Sequence, residues 1–582
     1  MSPPRAWWGA LPAEDDHVRF RLWAPDAQEV LLAVKGGAHH RMERDEDGSF
    51  SACITCTEGA RYHYRIDGGG PIPDPASRRQ PEGVHGDSQL YYPERFDWKT
   101  TEWNGRPWNE AVLYELHVGT CGGYNGVRAQ LPALKALGIT AIELMPLNEF
   151  PGRRNWGYDG VQPYAPESAY GTPDELKTLI DEAHALGLMV LLDVVYNHFG
   201  PEGNYLGQYA SGFFRPDTPT PWGAAIDFRQ EAVQRFFVDN ALMWLHEYRF
   251  DGLRLDAVHA ITPNAFLDVL REAIERSLPP QRHVHLVLEN EANQASLLAD
   301  GYSAQWNDDF HNALHVLLTG EREGYYAGFA DDPTAHLARV LGEGFAYQGQ
   351  HDHRGHARGE PSGALSPQKF VIFAQNHDQI GNRALGNRLI TQVPGARLRA
   401  ALALTALTPM IPMFFMGEPW GSHAPFQFFT NYGPPLDEAV REGRRREFAH
   451  FAAFSEPEAR KAIPDPNAPS TFEASVADIA DSAQGEGAKW RDWFSALMAC
   501  RREHLVPGLS QARALGARAL GQGAIAAGWQ LPQGQWHVQV NFGDAPIAIA
   551  LPAGQDVHRE NAGDVPDVLA PGGFIARRID DA

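Results

Sequence analysis

Short apolar runs alternate with amphipathic stretches through the middle of the chain. Apolar runs of about four to eight residues are typical of buried strands, and longer stretches with a 3.6-residue period are typical of helices. Eight strand candidates follow one another, at 112–118, 141–147, 189–198, 250–258, 284–291, 303–308, 369–378 and 410–418. Because helical segments separate them, the pattern predicts an α/β fold, a (β/α)8 TIM-type barrel with loop insertions.

The helical segments carry recognisable start signals. In "TPDELKTLIDEAHALG" (172–187), Thr172 is a plausible N-cap and Glu175 completes a capping box. Segments 231–248 and 262–278 have the same amphipathic character. An open, doubly wound sheet is the structural alternative, but no glycine-rich phosphate loop follows the first strand.

Both ends of the chain have a different pattern from the middle. Residues 1–97 contain short alternating or aromatic-rich strands with Gly, Asp and Pro between them, which predicts an N-terminal β-sandwich. Residues 507–582 return to strands, including the hairpin candidate "AIAAGWQLPQGQWHVQVNF", and predict a small C-terminal β domain. The barrel is therefore expected to occupy residues 98–506.

Composition and charge narrow the partners. The chain has 582 residues with 43% hydrophobic and 21% charged side chains, and 73 acidic against 50 basic residues give a net charge of −23. Nucleic acid and anionic membranes need a basic surface, so neither is an expected partner. The apolar run 400–416 contains Pro409 and Pro412 and predicts a buried helix followed by a strand, not a membrane span. With no apolar signal segment at the N-terminus, a cytoplasmic protein is expected; the sequence does not indicate an oligomeric state.

Cysteines and histidines do not predict a metal or cofactor site. Cys53 and Cys56 form a lone C-x-x-C in a strand-like context, and no second cysteine pair exists to complete a zinc site. His351, His353 and His356 lack a clear tetrahedral partner set, so a solvated loop is the preferred interpretation. No metal and no cofactor are predicted.

Polar residues gather where the predicted barrel strands end. In "FDGLRLDAV" (250–258), a strand would place Arg254 and Asp256 on one face of an otherwise apolar run. The ends of strands three, four, five and seven together supply Asp193, Asn197, His198, Arg254, Asp256, Glu289, Asn376, His377 and Asp378. Functional residues of TIM barrels lie at these carboxyl ends, so the residues are expected to share one mouth.

The converging carboxylates suit glycoside hydrolysis. That reaction needs one ionised carboxylate at the anomeric carbon and one protonated carboxyl group for the leaving oxygen. Arg254 would hold Asp256 ionised. Glu289, close to other carboxylates and without a sequence-adjacent cation, would have its pKa raised. The two environments predict a nucleophile and an acid.

Four segments resemble the signature regions of the α-amylase family. They are "DVVYNH" (193–198), "GLRLDAVH" (252–259), "LEN" (288–290) and "QNHD" (375–378), in the family's order and at predicted strand ends. Residues 1–97 also resemble the carbohydrate-binding-module-like sandwich that precedes such barrels. The resemblance implies a glycosidase that retains anomeric configuration and acts on an α-glucan.

The resemblance also assigns roles. Asp256 would be the nucleophile, Glu289 the general acid/base and Asp378 the third carboxylate, which binds sugar hydroxyls. The expected substrate-binding residues are Tyr158, His198, Arg254, His377, Trp156, His259, Gln379, Asn382 and Arg383. A core aromatic is the alternative for Trp156, and residues 379–383 could instead only structure their loop. Calcium is common in the family, but no dedicated oxygen-ligand loop is visible.

The fifth signature strand contains two candidate acids. "LENEAN" (288–293) places Glu289 and Glu291 two residues apart, so a continuous strand would send both to the same face. Glu289 is preferred because it directly follows the apolar run. Glu291 would then be a supporting or solvent-exposed group.

Other segments resemble the members of the family that release trehalose: 306–329, 349–363, 375–389, 425–432 and 442–448. This implies hydrolysis of the α-1,4 bond beside the terminal trehalose of a maltooligosyltrehalose. Segments 306–329, 349–363 and 418–432 are candidate walls on the leaving-group side. The alternative is a glycogen branching enzyme, which transfers the glycosyl group to a sugar hydroxyl. A non-catalytic family member is disfavoured because all three carboxylates are present.

Overall fold

Eight parallel strands close into a barrel at the centre of the molecule. The computed structural model describes residues 7–13, 17–220, 223–550, 553–563 and 567–580; residues 1–6, part of the predicted N-terminal domain, lie outside them. In order around the barrel the strands are Leu113–Leu116, Ala141–Leu144, Met189–Val194, Gly252–Leu255, His285–Leu288, Ala304–Trp306, Phe370–Ile372 and Ile411–Phe415. Each of the eight predicted segments contains one of these strands, so the predicted barrel is confirmed.

Helices and small hairpins surround the barrel and fill its loops. The α-helices of the described residues are Gly123–Ala136, Pro173–Ala185, Glu231–His246, Ala265–Ser277, Ala295–Ala299, Asp308–Thr319, Pro333–Glu343, His377–Gly381, Gly395–Leu407, Leu436–Glu447, Pro457–Arg460, Pro469–Ala474 and Gly485–His504. Two antiparallel hairpins project from loops, Asn148–Glu149 with Gln162–Pro166 and Phe214–Thr220 with Gly223–Ile226.

The helix Pro173–Ala185 begins as its sequence predicts. The Thr172 hydroxyl accepts a hydrogen bond from the Glu175 amide at 3.2 Å, and the Glu175 carboxylate accepts one from the Thr172 amide at 2.7 Å. Both bonds satisfy amides that a helix start leaves without partners. The helix buries Leu176 and Leu179 and packs against the third barrel strand.

Two antiparallel sheets form the N-terminal sandwich. One contains Gly9–Pro12, His17–Trp23, Ser49–Thr55 and Glu43–Arg44; the other contains His39–Arg41, Val30–Val34, Arg61–Ile66, Pro71–Ile72 and Ser88–Gln89. Phe20 of the first sheet meets Tyr62 of the second edge to face, with ring centroids 4.9 Å apart. Inward-facing aromatic side chains therefore form the core between the sheets.

A five-stranded antiparallel sheet follows the barrel. Its strands, in spatial order, are Arg513–Gly521, Ala524–Leu531, Gly534–Asn541, Gly573–Ile579 and Gln555–Glu560, beside the pair Ile547–Ala548 and Val568–Leu569. The Trp536 indole donates to the Leu407 carbonyl at 2.7 Å and joins this sheet to the helix before the last barrel strand. That helix and strand account for the apolar run 400–416. No helix in the described part of the chain is long and apolar enough to cross a membrane.

Candidate active site

Arg254 lies at the centre of the carboxyl-end mouth of the barrel. It is fully buried on the strand Gly252–Leu255 and lies in register with Asp193 of the neighbouring strand. Its Nη1 donates to Asp193 Oδ1 and Oδ2 at 2.8 and 2.7 Å and to Asp256 Oδ1 at 2.8 Å. Its Nη2 lies 3.0 Å from Glu289 Oε2. One guanidinium thus joins three carboxylates from three adjacent strands.

This arrangement corrects one expectation about charge. The sequence assigned Arg254 to Asp256 and found no sequence-adjacent cation for Glu289; in the structure Arg254 contacts both carboxylates. Burial nevertheless raises the pKa of Glu289 well above its usual value, although Arg254 opposes the shift. Desolvation therefore exceeds the effect of the cation, and the charges of Asp256 and Asp378 act in the same direction as burial.

Asp256 follows the fourth strand directly and has a second donor. Asn197, from the loop after the third strand, donates to Asp256 Oδ2 at 2.7 Å and to the Asp256 carbonyl at 2.9 Å. The Asp256 side chain is 13% exposed. Ala257 takes a left-handed conformation (φ 40°), and its amide donates to Glu289 Oε2 at 2.8 Å. The chain therefore turns sharply between the two carboxylates and links them through its backbone.

The structure separates the two candidate acids. The strand His285–Leu288 ends before Glu289, so strand alternation does not reach Glu291 and the expected shared face is wrong. The Glu289 side chain is 19% exposed and faces Arg254. The Glu291 side chain is 68% exposed, and its Oε2 atom lies 4.0 Å from His259 Nε2. Only Glu289 points into the mouth, while His259 lies beside Glu291 at the rim.

Asp378 lies beside a charged histidine. His377 Nδ1 bonds Glu115, and the His377 amide donates to Glu115 Oε2 at 3.0 Å; His377 Nε2 lies 3.4 Å from Asp378 Oδ1. Burial alone would lower the pKa of His377, but the two carboxylates raise it well above its usual value. Burial would likewise raise the pKa of Asp378, but the His377 charge lowers it. This carboxylate stays ionised near neutral pH.

Tyr158 and His198 also lie in the mouth. The Tyr158 hydroxyl donates to Asp193 Oδ2 at 2.5 Å, and its ring stacks on His377 with centroids 5.1 Å apart. His198 is buried and bonds the Asn197 side chain. Burial lowers the pKa of His198, so the ring is neutral near pH 7. Both side chains are fixed by groups that also hold the carboxylates.

Trp156 lies behind the site. Trp156 is buried, and its ring stacks on Phe426 with centroids 5.4 Å apart. Its indole N–H donates to the Gln427 carbonyl at 3.0 Å. Its edge meets His377 with centroids 5.5 Å apart. These contacts favour the core-aromatic alternative, in which the edge of Trp156 supports the His377 ring; the substrate contact of Trp156 stays a prediction.

Residues 379–383 mainly structure their loop. Gln379 accepts a hydrogen bond from the Asn376 amide at 2.9 Å and so caps the helix His377–Gly381. Arg383 donates twice to Glu321, at 2.7 Å each, which favours the loop-structuring alternative; its contact with substrate stays a prediction. Asn382 is exposed and donates to Asp378 Oδ1 at 3.1 Å, so it alone of the three lies directly on a candidate catalytic carboxylate.

Sequence reasoning missed four residues of the mouth. Glu115 and Glu143 are buried on the first two barrel strands, and Trp306 lies under the Arg254 guanidinium, 4.0 Å from it. Asp308 follows the sixth strand; burial raises its pKa to about 7, with the Asp378 charge adding to the effect. The acids had a readable signal: each of Glu115 and Glu143 is a charged residue within an apolar strand, as Arg254 is.

The mouth of the barrel contains more acidic than basic side chains. Its carboxylates are Glu115, Glu143, Asp193, Asp256, Glu289, Asp308 and Asp378, and its cations are Arg254 and His377. Burial raises the pKa of Asp193 to about 6 even though Arg254 opposes it. Burial also raises the pKa of Glu143 well above its usual value. Protons, as well as cations, therefore balance this site.

The two cysteines of the C-x-x-C segment are not joined by a disulfide bond. Cys53 and Cys56 are free thiols. Within the described ranges, no group of three His, Cys, Asp or Glu side chains is arranged to hold a metal ion.

Family models match all three parts of the chain. "Alpha amylase, catalytic domain" matches residues 89–219, "Carbohydrate-binding module 48 (Isoamylase N-terminal domain)" matches 8–78, and "Domain of unknown function (DUF3459)" matches 512–573. The first two agree with the barrel and the N-terminal sandwich seen in the structure.

Full-length relatives narrow the assignment. A Deinococcus radiodurans protein is 42% identical over 86% of this chain and 84% of its own length. A protein from Saccharolobus solfataricus is 42% identical over 75% of this chain and 79% of its own length. A protein from Mycobacterium tuberculosis is 39% identical over 83% of this chain and 86% of its own length. All three are named malto-oligosyltrehalose trehalohydrolase. The chain belongs to the malto-oligosyltrehalose trehalohydrolase family.

Two solved structures and a branching enzyme add to this comparison. A crystal structure of a Salmonella typhimurium protein described as an alpha amylase superposes with a TM-score of 0.93, at 41% identity, and covers 99% of this chain and all of that one. Pullulanase from Paenibacillus barengoltzii shares the fold, with a TM-score of 0.74 and 19% identity; the match covers 99% of this chain and 95% of the pullulanase chain. A branching enzyme of Photobacterium profundum is 32% identical, but over only 44% of this chain and 40% of its own.

Proposed function

We propose that this chain is a retaining glycoside hydrolase that cleaves the α-1,4-glucosidic bond beside the terminal trehalose of maltooligosyltrehalose. The products are trehalose and a maltooligosaccharide. The observation that carries the proposal is the 42% identity to a malto-oligosyltrehalose trehalohydrolase over 86% of the chain. A barrel mouth with buried and differently balanced carboxyl groups supports it.

Glu289 is the general acid of the proposed mechanism. Because burial raises its pKa, it carries a proton near neutral pH and donates it to the glycosidic oxygen. Asp256, held by Arg254 and Asn197, attacks the anomeric carbon; the C1–Oδ bond forms as the bond to the leaving oxygen breaks. Glu289 then takes a proton from water, whose oxygen displaces Asp256 and restores the starting configuration.

Asp378 and the histidines bind the attacked glucose. Asp378 stays ionised beside the His377 cation, so it accepts hydrogen bonds from sugar hydroxyls and favours positive charge developing on the ring. Tyr158 and His198, both anchored in the mouth, contact the same glucose. Arg254 positions both reacting carboxylates at once, so we propose for it an orienting role beyond substrate binding.

Maltotriosyltrehalose and maltopentaose test the function directly. We expect rapid release of free trehalose from the first and much slower hydrolysis of the second, measured by chromatography of the products. Branched product from amylose without trehalose from maltotriosyltrehalose would overturn the proposal and favour the branching-enzyme alternative.

Glu289 and Glu291 form a matched pair for testing the acid. Glu289→Gln removes the proton that the leaving group needs, so kcat should fall by about 10²–10⁴-fold or more. Glu291→Gln changes the same chemical group at an exposed rim position, so kcat should stay within about threefold of the wild type. The reverse result would transfer the acid role to Glu291.

A further inference from the structure

Glu115 is a buried acid to which the proposed mechanism gives no role. It lies within the first barrel strand, Leu113–Leu116, and is only 1% exposed. A buried carboxylate is costly unless a cation or hydrogen-bond donors compensate it. The partners of Glu115 therefore indicate why an acid is present in this apolar strand.

Both carboxylate oxygens of Glu115 bind one residue, His377. Oε2 accepts a hydrogen bond from the His377 amide at 3.0 Å, and Oε1 bonds the ring at Nδ1. His377 is the first residue of the helix His377–Gly381, so its amide has no acceptor within that helix. One carboxylate thus fixes both the backbone and the ring rotation of His377, although the two residues are 262 positions apart in the chain.

The His377 ring has a carboxylate at each of its two nitrogens. Nδ1 meets Glu115, and Nε2 lies 3.4 Å from Asp378 Oδ1. An ionised carboxylate only accepts hydrogen bonds, and a neutral imidazole has one N–H, so a neutral ring would direct a lone pair at one of the two carboxylates. Only the doubly protonated ring satisfies both contacts. The raised pKa of His377 agrees with this geometry, because both carboxylates favour the charged ring.

The other titratable groups around His377 are neutral or are paired elsewhere. They come from neighbouring strands and loops and are Tyr158, His117, Glu143 and Arg254. Burial raises the pKa values of Tyr158 and Glu143 well above their usual values and lowers the pKa of His117 to about 4, so all three are neutral near pH 7. Arg254 is paired with three other carboxylates. Glu115 is therefore the counter-ion that, together with Asp378, holds the charge on His377.

We propose that Glu115 is a positioning residue of the active site: it holds His377 doubly protonated, with Nε2–H directed at Asp378 and at a hydroxyl of the attacked glucose. This inference rests on the glycosidase function proposed above. A charged donor forms a stronger hydrogen bond than a neutral one, and the charge keeps Asp378 ionised as an acceptor for the same sugar. Glu115 is buried and bound to the ring, so it acts through His377 and not on the substrate itself.

Glu115→Gln removes the counter-charge and nearly preserves the size of the side chain. We expect kcat for trehalose release from maltotriosyltrehalose to fall by about 10–100-fold near pH 8, the loss expected for one hydrogen bond to a charged group. Without the Glu115 charge, the pKa of His377 should return toward its ordinary value of about 6.5. The variant ring is then charged near pH 5 and neutral near pH 8, whereas the wild-type ring stays charged throughout. The wild-type-to-variant ratio of kcat should therefore rise between these two pH values.

Three further variants separate positioning from structural support. Glu115→Asp keeps the charge, so it should retain more of kcat than Glu115→Gln and keep the wild-type pH dependence. If Glu115 acts through His377, adding Glu115→Gln to His377→Gln should lower kcat by less than about threefold beyond His377→Gln alone. Glu149→Gln makes the same change in another buried acid, which accepts a hydrogen bond from the Ser168 amide at 2.8 Å, and should keep the wild-type pH dependence.

The wild-type protein gives an independent measurement that does not depend on the folding of Glu115→Gln. In nitrogen NMR spectra of histidine-labelled protein near pH 7, with His377→Gln used to identify the signals, both ring nitrogens of His377 should carry a proton. A neutral ring, a kcat ratio independent of pH, or additive losses in the double variant would each overturn the proposal. A wild-type protein that released no trehalose would instead overturn the proposed function, and the spectra would still decide the protonation of His377.

Discussion

The two ends of the fourth barrel strand each present an aspartate, and the acids at the two faces of the barrel are balanced in opposite ways. Asp251 precedes the strand Gly252–Leu255 and Asp256 follows it, so the four residues of the strand separate them. Asp251 lies at the amino-end face, where barrel residues stabilise the fold. Asp256 lies at the carboxyl-end face, where barrel residues carry function.

Asp251 has all its charge compensated. Its carboxylate accepts hydrogen bonds from His184 Nε2 at 2.9 Å, Arg282 Nη1 at 2.6 Å, Trp103 Nε1 at 2.8 Å and the Val190 amide at 2.9 Å. Burial alone would raise the pKa of Asp251, but the two basic side chains lower it to about 2. The folded state therefore strongly favours the ionised form.

The carboxyl-end face has the opposite balance. Arg254 is shared among Asp193, Asp256 and Glu289, and burial raises the pKa of Asp193 to about 6 and that of Glu289 well above its usual value. At the amino-end face, the buried Asp251 has enough cations and hydrogen-bond donors to stay ionised, which stabilises the fold. At the carboxyl-end face, the acids outnumber the cations, so the raised pKa values of Asp193 and Glu289 favour carboxyl groups that can donate a proton.

Asp256→Asn should give the largest effect and confine it to activity. Removing the nucleophile is expected to reduce kcat for trehalose release by about 10⁴-fold or more. Because Arg254 keeps Asp193 and Glu289 as partners, the free energy of unfolding should change by less than about 1 kcal/mol. Product assays and denaturant titration check the two halves. An active variant would refute the nucleophile assignment.

Asp251→Asn should reduce stability and leave activity nearly unchanged, the reverse of Asp256→Asn. It leaves Arg282 and His184 facing a neutral group, so the free energy of unfolding should fall by about 3–5 kcal/mol while folded molecules keep kcat within about threefold. A variant as stable as the wild type would show that this buried cluster does not anchor the fold.

The same variant isolates a pH effect. The pKa of Asp251 is lowered to about 2 in the folded state, so the stability from its ionisation is complete above its unfolded pKa near 4 and is lost as pH falls from about 4 to 2. The loss amounts to about 2–3 kcal/mol. Urea titrations between pH 5 and 2 should show this decline in the wild type, and the difference from Asp251→Asn should shrink across the same window.

Asp308→Asn should give the smallest effect, and a stabilising one. The raised pKa of Asp308, about 7, means that the folded state loses stability as pH rises from about 4 to 7. The amide variant should therefore be more stable than the wild type by about 1–3 kcal/mol at pH 8 and nearly equal to it at pH 4. A variant no more stable at pH 8 would show that Asp308 is solvated well enough to ionise freely.

Local patterns predicted most of the architecture because they record burial directly. Each barrel strand is a short apolar run, and the capping box of Thr172 and Glu175 uses contacts only three residues apart. The same kind of reasoning placed Asp256 and Glu289 in one mouth. Glu115 and Glu143 were missed because they were counted as parts of apolar runs, although an acid in a buried strand is itself a signal.

Non-local contacts limited the remaining predictions. Trp156 follows a surface-like stretch of sequence, yet Phe426, distant in sequence, covers its face. Arg383 lies near Asp378 but pairs with Glu321, which follows the helix Asp308–Thr319. Sequence proximity therefore predicted substrate contacts for side chains that the fold had already engaged elsewhere.

The sequence by itself determined the barrel, the order of its strands and which acids lie at the strand ends, because periodicity and burial are local properties. The tertiary structure alone decided how charge is distributed among those acids. The sequence paired Arg254 with Asp256, but its contacts with Glu289 and Asp193 could be assigned only once three strands lay side by side. Electrostatic balance depends on distances and desolvation in three dimensions, and these do not follow from spacing along the chain.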